Sequence, residues 1–493
     1  MTDPTTELLP SVATGIAGLD ELLRGGLTRD RMYLLEGTPG TGKTTLALQF
    51  LLRGRDVGER TLYVTLSETA NELKAIAASH GWQLDGVELF QLAQSQGIKP
   101  EEQYTLYHPA EVELGDTVKA VLEIIERLQP SRVVFDSLSE LKLLARDPLR
   151  YRRQILGLKE FFTGRACTVL LLDDMTAGGA DLQVESVAHG VILLETLPFA
   201  YGRARRRLRI VKIRGVAAVE GFHDFIIKRG GLEVFPQLVP TRRTTSRPEP
   251  TVTSGVTELD QLLGGGLTWG TTTLVIGPAG TGKSTLAAQY AGSGVTSTKS
   301  AIFLFDERLS TFVGRCDALG MNLSRRLADR TVQLHQVEPG EMSPGEFSYR
   351  VRVAVQEGAR VVLIDGLNGY LNAIPQVEAP LVRMHELLSF LNECDVVTLM
   401  VVAQHGMVGT HMQTPLDVSY LADTVVLLRF FESQGTVRRA LSVMKKRTGP
   451  HESTIREFQI GPNRLQVGKA LSDFQGVLTG VPQYLGGATP LLK

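Results

Sequence analysis

The chain has 493 residues, 43% hydrophobic and 21% charged, with a formal net charge of −1. At roughly 150 residues per domain, that length needs more than one core. The near-neutral balance excludes bulk electrostatic attraction to nucleic acid or anionic lipid. Cys167, Cys316 and Cys394 are far apart and form no C-x-x-C pair, which argues against a disulfide framework or a zinc site. The start, MTDPTTELLP, has neither the basic residues nor the apolar stretch of a secretory leader. The longest apolar runs are of strand length, so a cytoplasmic location is the expectation.

The first recognisable element is TGIAGLDELLRGGL, 14–27. RMYLLEG reads as a strand that runs into GTPGTGKTT, Gly37 to Thr45, and KTTLALQFLLRG as the helix after it. TLYVTL, RVVFD and TVLLL are further strands, with helical patterns near 69–80, 114–128 and 150–163. Continuous apolar strands alternating with helices predict an α/β fold with a mainly parallel sheet covered on both faces. HGVILLE, RLRIVKIRG and FHDFIIKRG follow without long helices between them, which predicts an antiparallel extension. PQLVPTRRTTSRPEP, 236–250, carries four prolines and reads as a linker. After it SGVTELDQLLGGGL, 254–267, repeats the opening element at eight of fourteen positions, and GPAGTGKST, Gly277 to Thr285, repeats the loop. RVVFDS (132–137) pairs with RVVLIDG (360–366), and IVKIRG (210–215) with SVMKKR (442–447). The whole domain is duplicated, giving domains 1–237 and 251–493 with a linker at 238–250.

Both loops fit G-x-x-x-x-G-K-[ST]. Gly37, Thr38, Gly40, Thr41, Gly42, Lys43, Thr44 and Thr45 form the first, and Gly277, Gly280, Thr281, Gly282, Lys283, Ser284 and Thr285 supply the same pattern in the second. Such a loop turns backbone N–H groups and a helix N-terminus onto phosphate oxygens. Lys43 and Lys283 are placed for the β- and γ-phosphates, and Thr44 and Ser284 for Mg²⁺. Asp136 and Asp365 end apolar strands, where a Walker B carboxylate helps hold the metal. Glu68, in TLSET, and Asp306 with Glu307, in LFDER, are candidate general bases. Lys212 and Arg214, and Lys445 and Arg447, stand one residue apart and are candidate cations for a neighbour's transferring phosphoryl group. GRARRRLRIVKIRG (202–215) has the charge density of a nucleic-acid patch but lacks aromatics, and fits an intersubunit edge ribbon equally well.

The double loop, the GG-L ahead of each, the acidic strand ends, the K-x-R strands and IREFQI (455–460) together resemble the KaiC family over nearly the whole chain. The resemblance implies tandem RecA-like domains in an ATP-dependent homo-hexamer, ATP and Mg²⁺ as cofactors, ATPase activity, and a serine/threonine autokinase in the second domain. It also implies signalling or clock partners of the KaiB-like kind; neither nucleic acid nor membrane is an expected partner. In DVSYLADTVVLL (417–428) Ser419 matches the family's first phospho-acceptor, Tyr420 stands where the threonine would be, and Thr414 matches a nearby threonine. The family's paired glutamates become Ser67-Glu68 in the first domain and Asp306-Glu307 in the second. Two other readings share these residues: a RecA-like DNA-dependent ATPase, and a nucleotide-gated hexameric scaffold with little turnover.

Overall fold

The computed structural model describes residues 10–91, 109–145, 147–175, 182–198, 202–238, 251–292, 298–374, 379–404, 419–461, 464–478 and 482–485. The chain divides into two compact units, Met1–Gln237 and Leu238–Lys493. Apart from Leu238, the predicted linker lies outside the described residues.

The first unit is built on a nine-stranded sheet. Its parallel part runs, in spatial order, through Val87–Gln91, Thr61–Thr65, Arg132–Asp136, Thr168–Asp173, Met32–Gly37 and Gly190–Leu197. Arg205–Ile213, His223–Lys228 and Gly231–Phe235 continue it antiparallel. Every residue of Met32–Gly37 is buried, because successive side chains point to opposite faces and both faces are covered. Tyr33 and Leu35 join Leu46, Phe50 and Leu51 of the helix Lys43–Asp56. Leu34, Leu62 and Val64 join Val121, Leu141, Ile155 and Leu158 from helices on the other face.

The second unit repeats this strand for strand. Val332–Gln336, Lys299–Leu304, Ala359–Asp365, Val397–Ala403, Thr272–Gly277 and Thr424–Ser433 are parallel, followed antiparallel by Thr436–Lys446, Arg456–Gly461 and Arg464–Ala470. The predicted parallel sheets with antiparallel extensions are therefore both present. One expectation changes: Arg205–Ile213 pairs along its length with Gly190–Leu197 and, at Arg206–Leu208, with His223–Lys228, so it is not an edge strand of the sheet. Two of its arginines face partners within the unit, Arg207 on Glu195 at 2.7 Å and both Arg207 and Arg209 over the Phe222 ring. Among the described residues no helix is long and apolar enough to cross a membrane.

The matching registers fix residue equivalence between the units. Met32 pairs with Val169 as Thr272 pairs with Thr398, and Thr65 pairs with Asp136 as Leu304 pairs with Asp365.

Candidate active site

In each unit the loop leaves the central parallel strand and enters a helix. Gly42 precedes the helix Lys43–Asp56 at φ +107°, and a Cβ there would stand 2.6 Å from Ile227 Cδ1. Gly282 has φ +96° and would meet Ile460 Cδ1 at 2.5 Å. Only glycine combines that backbone with that space. Thr41 Oγ1 donates to Thr38 O and Thr281 Oγ1 to Pro278 O, each at 2.8 Å, closing the two loops alike. Gly37 and Gly277 sit against the backbone oxygens of Leu194 and Leu428, and Gly40 and Gly280 hold left-handed turns. The first N–H groups of each helix face the loop, as an anion site requires. Thr45 departs from the group, since its hydroxyl lies 3.3 Å from His80 Nε2. Thr285 is buried at the same helix position.

The lysines differ. Lys43, 6% exposed, donates to Gly37 O at 2.6 Å and to Thr38 O at 3.2 Å, and pairs with Asp174 Oδ1 at 2.8 Å. Lys283 donates to Pro278 O at 2.7 Å. Burial lowers its pKa, opposed by the charge of Asp365.

The metal-site candidates converge. Asp136 and Asp365 are buried at strand ends beside the loop helices. The Thr44 hydroxyl lies near enough to Asp136, and the Ser284 hydroxyl to Asp365, to favour the charged form of each carboxylate. Tyr63 Oη also donates to Asp136 Oδ2 at 2.5 Å; by register its counterpart is Ile302. Burial pushes Asp136 up, and pushes Asp365 up to about 6. Asp365 Oδ2 is buried with no hydrogen-bond partner among the described residues. An orphaned carboxylate oxygen beside a serine hydroxyl is a hard-oxygen donor set of the kind Mg²⁺ takes, so the residues fit the ion.

Glu68 and Glu307 occupy equivalent places after their strands, in different surroundings. Burial, followed by the charges of Asp136, Glu72 and Asp174, pushes Glu68 up to about 7. Its Oε2 is buried without a hydrogen-bond partner among the described residues. Glu307 instead pairs with Arg315 at 2.8 Å. Arg315 lies on the helix Leu309–Ala318, and its counterpart on Ala70–Ser79 is Ile76. Asp306 packs against Gly366 and Gly369, whose added Cβ atoms would approach its carboxylate oxygens to 2.9 and 3.0 Å. Burial raises its pKa.

The cations and the acceptor lie elsewhere. Thr424 pairs with Thr273, near the start of the loop strand, so Ser419 just before it is at the end of the sheet away from the loop. A strand of that length puts about 15–20 Å between the two ends. Ser419 and Tyr420 open a short 3₁₀ turn, and both are exposed. Lys445 Nζ donates to Ser419 O at 3.1 Å and Ala422 O at 2.8 Å, and Arg447 pairs with Asp423 at 3.5 Å. Thr414 lies outside the described residues. In the first unit Lys212 donates to Glu185 O, and Arg214 to Ser186 O at 3.0 Å. Arg214 also lines a cleft of about 340 Å³ with Arg31, Lys159 and His189. Both arginines follow the last residue of their strands, so each K-x-R pair spans a strand end and is not wholly on the strand.

Sequence reasoning missed Asp174, Tyr63 and Arg315. The doubled aspartate ending TVLLLDD beside the loop strand was the available signal for Asp174; the other two needed the fold.

Two sheets of this topology, each with a phosphate loop and a strand-end aspartate, define a tandem RecA-like P-loop ATPase. The family model described as "ATPase: KaiC" matches residues 12–239 and 252–472. The chain belongs to the KaiC ATPase family, and ATP binding follows from that membership. It is 26% identical over 497 residues to the circadian clock protein KaiC3 of Synechocystis sp., covering 98% of this chain and 97% of that protein. It is also 26% identical over 501 residues to the circadian clock oscillator protein KaiC of Synechococcus elongatus, covering 98% of this chain and 94% of that one.

Proposed function

We propose that this ATPase works as an ATP-dependent homo-hexamer whose first domain, 1–237, hydrolyses ATP and whose second, 251–493, transfers phosphate to Ser419 of an adjacent subunit, in signalling or timing with clock-type partner proteins. The carrying observation is the separation of parts. Each unit has loop, lysine and acids at one end of its sheet, and Lys212 with Arg214, or Ser419 with Lys445 and Arg447, at the other. Among the described residues no loop spans that distance, which supports acceptor and cations serving a neighbour's nucleotide. Ring closure supplies that neighbour.

At the first site Glu68 takes a proton from the attacking water. The water oxygen bonds to the γ-phosphorus as the bond to the β-bridging oxygen breaks, and ADP leaves. Lys43 and the loop N–H groups hold the phosphate charge. At the second site Ser419 Oγ bonds to the γ-phosphorus as the bond to the β-bridging oxygen breaks, its proton passes to Asp306 or Glu307, and ADP leaves. Thr44 with Asp136, and Ser284 with Asp365, are the residues for Mg²⁺, which when bound neutralises charge on the β- and γ-oxygens. Tyr420, half exposed in the acceptor turn, carries its hydroxyl too far from the backbone to share the serine's geometry, and so is not assigned as an acceptor.

Mass determination with and without ATP, joined to phosphosite mapping after incubation with Mg·ATP, tests the reading. A hexamer carrying label at Ser419 is the expected outcome; no label on Ser419 or its neighbours removes the kinase. The Glu307–Arg315 pair favours one second reading, in which the second ring mainly holds nucleotide and the assembly acts as a scaffold. Negligible ADP release from an intact hexamer would establish that instead.

A further inference from the structure

The two phosphate-loop lysines are not equivalent, and the cause is one residue. An ammonium has three donors. Those of Lys43 go to Gly37 O, Thr38 O and Asp174 Oδ1, at 2.6, 3.2 and 2.8 Å. Asp174 directly follows the strand Thr168–Asp173, which pairs with the loop strand. Its backbone is fixed, since its N–H donates to Ser139 Oγ at 3.1 Å. The second unit repeats that backbone contact, with Ala403 N–H donating to Asn368 Oδ1 at 2.9 Å. Register and hydrogen bond together make Ala403 the counterpart of Asp174, and alanine has no charge to offer Lys283. Among the described residues Lys283 has one acceptor, Pro278 O.

We propose that Asp174 is a built-in counter-ion that competes with the nucleotide's phosphates for Lys43, so that the first site binds nucleotide more weakly than the second. Asp174 acts through Lys43 and is a positioning residue. For a phosphate oxygen to engage Lys43, the carboxylate must give up its hydrogen bond and then face the incoming anion as a like charge. The second site has neither cost. The first site thereby exchanges its nucleotide while the second retains it. This inference rests on the reading of both loops as nucleotide sites.

The test uses the full-length chain with the second loop disabled by Lys283→Ala, titrated with a fluorescent non-hydrolysable ATP analogue and Mg²⁺. In that background Asp174→Ala and Asp174→Asn are both expected to tighten binding by about tenfold or more, the scale of one hydrogen bond to a charged group. Asparagine keeps the shape and removes the charge, so its agreement with alanine separates competition from a loss of packing. The converse variant, Ala403→Asp in a Lys43→Ala background, is expected to weaken second-site binding by a similar factor. Unchanged or weaker binding in both Asp174 variants, or unchanged binding in Ala403→Asp, overturns the proposal. A Lys43→Ala, Lys283→Ala double variant that still binds the analogue overturns the loop assignment itself, a separate failure.

Discussion

The first site should run on the ionisation of Glu68. Its carboxyl is pushed up to about 7 by burial and by the nearby charges of Asp136, Glu72 and Asp174. A general base works only ionised. With that midpoint the ionised fraction falls from about nine-tenths at about pH 8 to about one-tenth at about pH 6, so kcat/KM should fall about ninefold. The direction is set by the acid: activity is present above the midpoint and lost on acidification. The same shift has an opposite signature in stability. The folded state holds a proton that the unfolded chain, near 4.5, has released, so stability declines as pH rises from that value to about 7. The assay is phosphate release across pH in a Lys283→Ala background, because kcat/KM reports the free enzyme's essential groups. Glu68→Gln should lose about 10²–10⁴-fold in rate and flatten both profiles. A kcat/KM midpoint in the ordinary carboxylate range refutes the assignment. So does a midpoint near 7 that survives in Glu68→Gln, because it would then belong to the substrate.

At the second site Asp365, pushed up to about 6, must be ionised to hold Mg²⁺. Apparent Mg²⁺ affinity in a Lys43→Ala background should therefore drop about tenfold per unit below about pH 6, read by Mg²⁺ titration of nucleotide binding. Arg315→Leu frees Glu307 from its partner and should raise second-site ADP release in the same background; an unchanged rate would mean that the pair does not restrain the base. Arg132→Met removes the 2.5 Å contact to Glu59, which keeps its 2.9 Å pair with Arg29, and takes a donor from the carbonyls of Ala13 and Phe50. Leaving buried acceptors without their donor costs about 1–3 kcal/mol, to be measured by denaturant unfolding of the full chain.

What could be read from the sequence was set by how local each signal is. A phosphate loop is nine consecutive residues with a strand before and a helix after, so Gly37–Thr45 and Gly277–Thr285 needed no tertiary information. Asp136 and Asp365 were legible because burial writes the preceding strand as an unbroken apolar run. The ion pair between Lys43 and Asp174 joins residues brought together only when Met32–Gly37 and Thr168–Asp173 pair in one register. Arg315 reaches Glu307 because a helix turns it back over the strand end, and one basic residue among the polar positions of a helix carries no mark of that. The arginine-rich strand looked like an edge because alternating charge usually faces water. Here Glu195 and the Phe222 ring take the guanidinium groups inside the sheet's own extension.

Two of the differences between the duplicated sites run in opposite directions. In the first, the lysine is engaged by Asp174 while one Glu68 oxygen has no partner among the described residues. In the second, Lys283 has no carboxylate partner among the described residues while Glu307 is held by Arg315. On the proposed reading, nucleotide affinity depends on the lysine and hydrolysis on the base. A site with an engaged lysine and a free base binds loosely and turns over. One with a free lysine and a restrained base binds tightly and spends little ATP on water, leaving the bound γ-phosphate for a serine hydroxyl from a neighbour. Duplication alone would have given two equal sites; in the proposed division of labour, Asp174 in place of alanine and Arg315 in place of isoleucine set them apart.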